Sequence, residues 1–110
     1  MKNILIVDND PVTLHTIVGL LKSQSTFFQV LPATSIQTAI DTLAAYEIHI
    51  LITGMHLPEM DTFELLSVLG ADYPETPAIV MTNNASSMLR TKLRQMPLVI
   101  HFDQALDISM

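Results

Sequence analysis

The sequence predicts an α/β fold: a parallel five-stranded sheet with helices on both faces, three layers in all. Three observations carry that prediction. Short unbroken apolar runs recur along the chain, as expected of strands covered on both sides. Segments of helical period lie between them. The connections are short and marked by proline, glycine, asparagine or aspartate, so strands and helices alternate strictly, which implies parallel pairing.

The elements follow in order. Ile4-Leu5-Ile6-Val7 is a β-branched run and reads as the first strand. Asp10-Pro11 supplies a helix N-cap and a proline at the first helical position, and Leu14, Ile17, Val18 and Leu21 continue at helical spacing. Phe27 to Leu31 reads as the second strand. Thr34 or Ser35 caps a helix in which Ile36, Ala39, Ile40, Leu43 and Ala44 share one face. Ile48 to Thr53 is the third strand, Leu57 to Asp61 a loop, and Phe63, Leu66 and Leu69 mark a helix expected to end near Gly70, before Pro74. Ala78 to Thr82 is the fourth strand. Asn83 to Ser87 offers caps for a helix carrying Met88, Leu89, Leu93 and Met96, which Pro97 ends. Leu98 to His101 is the fifth strand, and Asp103 is positioned to cap a last short helix over 104–110.

Composition narrows the function. The 110 residues suit one domain spanning 1–110. With 49% hydrophobic and 15% charged residues, disorder is excluded. No apolar run approaches the roughly 18 residues of a membrane span, and residues 1–8 lack the pattern of an export signal, so the expected location is the cytoplasm. Cysteine is absent, which removes thiolate metal sites. A formal net charge of −6 with five Lys and Arg argues against a nucleic-acid surface. Arg90, Lys92 and Arg94 form the one cationic cluster, read as a solvated helix face or a docking patch for an acidic partner.

In a parallel α/β sheet, ligands sit beyond the carboxyl ends of the strands. Those ends carry Asp8 and Asn9, Thr53 and Gly54, Thr82, and His101. Three segments there form a recognisable set: Ile4 to Pro11 (ILIVDNDP), Leu51 to Leu66 (LITGMHLPEMDTFELL), and Ile79 to Thr82 (IVMT). Over nearly its whole length the chain resembles the receiver domain of two-component response regulators. The resemblance implies a flavodoxin-like sheet in the order 2-1-3-4-5 and five roles at its edge. Two acids after the first strand hold magnesium, and an aspartate after the third attacks a phosphoryl donor. A Ser or Thr after the fourth strand and a lysine after the fifth stabilise the phosphoryl oxygens.

Carried over residue by residue, Asp8 matches the first acid and Thr82 the hydroxyl. Asn9 stands at the second acid, Gly54 at the acceptor and His101 at the lysine. Neighbouring Thr53 and Met55 are not carboxylates either. Asp8, Asn9, Gly54, Thr82 and His101 are therefore a pocket remnant, expected to close on itself through hydrogen bonds among Asp8, Asn9, Thr82 and His101. No catalytic residue is expected. Magnesium should bind weakly or not at all, since a hard cation wants several anionic oxygens, and only Asp8, Asn9 and the His56 peptide oxygen are candidate ligands. Leu98 replaces the family's switch aromatic, and His101-Phe102 lacks the family's proline, so this peptide should be trans.

Plainer readings stand beside these. Asp10 is a helix cap, and Asp8 a pocket acid that accepts local hydrogen bonds. His15 and His49 read as bystanders. His56 lies near the pocket, and with Asp8 and His101 it supplies the residue types of a transition-metal or pH-sensing site, the sharper alternative to a bystander. Met60, Met81, Met88 and Met96 read as core fillers, and Glu64 complements a helix N-terminus.

The expected function is a degenerate receiver, or pseudo-receiver, in phosphorelay signalling, not an enzyme. It would act through contacts with a protein partner, such as a histidine kinase, a response regulator or an output domain, with a homodimer allowed. Its rivals are phosphorylation at another carboxylate such as Asp8, and a small-molecule sensor using space vacated at Gly54.

Overall fold

A computed structural model of the chain describes residues 2–24 and 27–104. Nine elements alternate along it. They are β1 (Lys2–Val7), α1 (Pro11–Gln24), β2 (Phe28–Ala33), α2 (Ile36–Ala45), β3 (Ile50–Thr53), α3 (Glu59–Asp72), β4 (Ala78–Thr82), α4 (Ser87–Arg94) and β5 (Val99–Asp103). The strands form one parallel sheet in the order β2-β1-β3-β4-β5, as expected. Pro32 lies inside β2, opposite Ile6. It is tolerated because β2 is an edge strand, where a missing N–H need not break the ladder.

The pleat divides each strand between two cores. Ile4 and Ile6 of β1 pack with Leu14 and Val30, against Ile17, Val18 and Leu21 of α1. The alternate residues Leu5 and Val7 face the other way, into a cluster with Leu43 of α2 and Leu65 and Leu69 of α3. Val80 continues that face to Leu89 and Leu93 of α4. Thus α1 covers one side, and α2, α3 and α4 the other.

Caps set the helix starts. The Asp10 carboxylate accepts the Thr13 hydroxyl at 2.6 Å and lies 3.4 Å from the Val12 amide. That hydrogen bond from Thr13 is the main reason its carboxyl sits below the usual aspartate range. Ser35 accepts the Thr38 amide and Ser86 the Leu89 amide, the N-cap arrangement for α2 and α4.

Several details differ from expectation. α3 begins straight after Pro58, with Glu59 and Asp61 in its first turn, and runs through Gly70 to Asp72. Gly70 is no terminator; the helix stops at Tyr73, whose amide bonds Leu69 O, with Pro74 next. Met60 and Met88 are not core residues: they are 83% and 75% exposed, because each lies on the solvent side of its helix. Met81 and Met96 are half-buried. β5 runs to Asp103, two residues beyond the expected end at His101, and the next residue, Gln104, is helical. The expected helix over 104–110 falls, from residue 105 on, outside the described residues.

Candidate functional site

β1 and β3 are neighbours with Val7 opposite Thr53, so the residues following them, Asp8 and Gly54, come side by side. The Gly54 amide donates to Val7 O at 2.6 Å, drawing the two chains close. Asp8 is fully buried. One of its carboxylate oxygens, Oδ1, accepts the Asp10 amide at 2.8 Å, and His56 Nδ1 stands 3.4 Å from both oxygens. A methyl group on residue 54 would overlap the Asp8 carboxylate and lie 2.7 Å from Asp8 Cβ. The glycine is thus a steric requirement of Asp8 as it stands.

β4 and β5 bring together a second pair. Thr82 Oγ1 and His101 Nε2 share a hydrogen bond of 2.8 Å. Burial is the main influence on the imidazole, lowering its pKa; Asp103 opposes this and Arg90 adds to it. The expected single network among Asp8, Asn9, Thr82 and His101 is instead two separate pairs, Asp8 with His56 and Thr82 with His101. Asn9 is exposed, and its side chain makes no hydrogen bond among the described residues. The His101–Phe102 peptide is trans. His49 is structural: its Nδ1 accepts the Asn3 amide at 2.9 Å.

The sequence reading missed the group that organises the neighbouring loop. Asp103, opposite Thr82 in the sheet, is buried and accepts the amides of Asn84 and Ala85 at 2.9 and 2.8 Å. Arg90 Nη2 reaches the same carboxylate at 3.0 Å, so Arg90 is not a solvated cation. Asn84 adopts φ 65°, a left-handed conformation asparagine tolerates, which turns two successive N–H groups toward one anion. Glu59 adds a second tie, accepting both the amide and the hydroxyl of Ser86 across from α3. The only local signal was Asn83-Asn84 after a strand. Thr53 Oγ1, by contrast, is buried without a hydrogen-bond partner among the described residues.

With this arrangement in view, the comparisons with known proteins are consistent. The model of the response regulator receiver domain matches residues 4–100, and the chain belongs to that family. Its setting is therefore two-component signalling. The signal receiver domain of an HD domain-containing protein from Pseudomonas fluorescens Pf-5 superposes with a TM-score of 0.77 at 28% identity, over 98% of this chain and 90% of that one. The non-phosphorylated HemR receiver domain from Leptospira biflexa gives a TM-score of 0.80 at 17% identity, over 94% of this chain and 82% of that one. RcsB from Salmonella enterica serovar Typhimurium, bound to promoter rprA with the phosphomimetic BeF3−, gives 0.72 at 24% identity. That match covers 92% of this chain and 54% of RcsB, so the chain spans about half of that protein's length. The last two likenesses, below 25% identity, speak for the fold alone. None of the curated proteins searched matches the sequence significantly. No helix among the described residues is long and apolar enough to cross a membrane.

Proposed function

We propose that this receiver acts through protein contacts in one standing conformation, without phosphoryl transfer at residue 54. The observation that carries the reading is the packing of the Asp8 carboxylate against Gly54. In-line attack on a phosphoryl donor requires a carboxylate at that position and room for three oxygens. Residue 54 has no side chain, and the adjoining volume is filled by Asp8.

The donor set does not suit magnesium. Among the described residues Asp8 is the one carboxylate at the five family positions, one of its oxygens already accepts the Asp10 amide, and Asn9 is exposed. A hard dication prefers six oxygen ligands of which several are anionic. The same crowding speaks against a metabolite site beside Gly54. Phosphorylation of Asp8 itself is disfavoured by its complete burial.

The loop after β4 supports a fixed state. In a switching receiver that loop must follow the hydroxyl of its strand toward an added phosphoryl group. Here Asp103 already supplies an anion to the loop amides from within the chain, and Glu59 holds Ser86. Asp103 is not a replacement acceptor, because its oxygens are engaged by two amides and Arg90.

The test is titration of the isotope-labelled protein with magnesium and beryllofluoride, followed by amide chemical shifts. The expected result is no saturable change at Asp8, Gly54, Thr82 or Ala85. Saturable shifts at those amides would overturn the reading.

A further inference from the structure

We infer that the trough between α3 and α4 is a docking site for an acidic amphipathic helix of a partner protein. The inference rests on the reading of the chain as a protein-binding receiver, and it names the surface and the chemistry of the partner. Two depressions of about 250 and 380 Å³ lie between α3 and the end of α4 with the segment that follows it, and a third, of about 350 Å³, adjoins them on the outer face of α4. The first two share Gly70, Gln95 and Met96, and the last two share Lys92 and Gln95. Together they follow α4, eight residues or about 12 Å long, and continue along the segment after it to Leu98. A trough of that shape fits a polypeptide better than a compact metabolite.

The floor is apolar, with Leu66, Leu69 and Met96, and exposed apolar residues mark its two ends, Met88 and Leu98. On the α3 wall, a Cβ added at Gly70 would meet only Met96 Cε, at 3.8 Å, so the space above the glycine is open. A third helix can approach closely there and place apolar residues at i, i+3 and i+7 along the floor.

Charge selects the partner. Three of the five Lys and Arg residues lie on α4, in a chain of net charge −6. Arg90 is paired with Asp103, whereas Lys92, which lines two of the three depressions, has no ion pair among the described residues. An incoming carboxylate is thus favoured at the rim. A second copy of this chain is disfavoured by its own negative charge.

The experiment uses the isotope-labelled full chain and two synthetic helical peptides of about four turns. Both carry leucine at i, i+3 and i+7; one has glutamate on its flanks, the other lysine. The acidic peptide is expected to shift the amides of residues 66–71 and 91–98 saturably, and to bind about tenfold or more tightly than the basic one. Lys92→Glu should reverse that preference. Gly70→Phe should abolish binding while the protein stays folded, since an added Cβ meets only the flexible end of Met96. The inference is overturned by absence of saturable shifts, by equal binding of both peptides, or by shifts elsewhere. The same amides moving when the protein alone is concentrated (a second copy), or octanoate binding there as tightly as the acidic peptide, also overturns it. Failure here would leave the beryllofluoride result untouched, so the two readings fail separately.

Discussion

The carboxylate of Asp8 occupies the space into which any side chain on residue 54 would have to grow. Gly54→Ala should therefore destabilise the protein by about 1–3 kcal/mol, the usual range for overpacking a filled site. Asp8 is buried and anchored by the Asp10 amide, so it cannot simply swing away. The same substitution at Gly19, inside α1 with nothing within 4 Å of an added Cβ, should stabilise by up to about 1 kcal/mol. Chemical denaturation of both variants checks the opposite signs. Equal effects would mean that the Asp8–Gly54 packing exerts no steric control.

Asp103 holds the loop after β4 through two amides and Arg90. Asp103→Ala should cost about 2–4 kcal/mol, because it leaves two inward-facing amides and a partly buried guanidinium without their acceptor. Arg90→Ala should cost less, about 1–2 kcal/mol, since the carboxylate keeps both amides. Hydrogen exchange gives the more specific signature. The amides of Asn84 and Ala85 should lose protection in Asp103→Ala and retain most of it in Arg90→Ala.

Thr53 carries a buried hydroxyl without a hydrogen-bond partner among the described residues. Valine has nearly the same shape and no polar atom to desolvate. Thr53→Val should therefore raise stability by about 1 kcal/mol, the lower end of the penalty for an unsatisfied buried group. A higher melting temperature with an unchanged fold is the expected result; a loss would mean that the hydroxyl has a partner in solution.

His101 introduces a pH dependence whose sign follows from its lowered pKa. Burial disfavours the imidazolium in the folded protein, whereas the unfolded chain titrates near the ordinary value of 6.5. Below that value the unfolded state binds more protons, so stability is full above about pH 6.5, declines as pH falls, and levels off once the folded imidazole is protonated. Denaturation of His101→Gln and the native protein between pH 7.5 and about pH 5 should show a shallower slope for the variant. The Asp10 carboxyl, with its own pKa below 3.8, contributes only at more acid pH.

The architecture was legible because its signals are local. The β-branched run at Ile4 to Val7, the proline after Asp10 and the serines before α2 and α4 each act within a few residues. Strand order and the meeting of Asp8 with Gly54 followed from the family resemblance. Asp103 was not legible: an aspartate before a short helical pattern reads as a cap, and only the pairing of β5 with β4 turns its carboxylate into the loop at Asn84. Gly70 misled for the related reason that glycine ends helices only where a left-handed turn follows, and here Tyr73 and Pro74 do the stopping. Met60 and Met88 were misassigned because methionine suits a core and an exposed docking surface equally.

The central claim is met most directly by intact-mass analysis after incubation with acetyl phosphate and magnesium, alongside Gly54→Asp. The account predicts no phosphoryl adduct on the native chain. For the variant it predicts little or none, because Asp8 crowds the restored carboxylate and Asn9 leaves the metal short of an acid. A stoichiometric adduct on the native protein, at Asp8 or any other carboxylate, would contradict it.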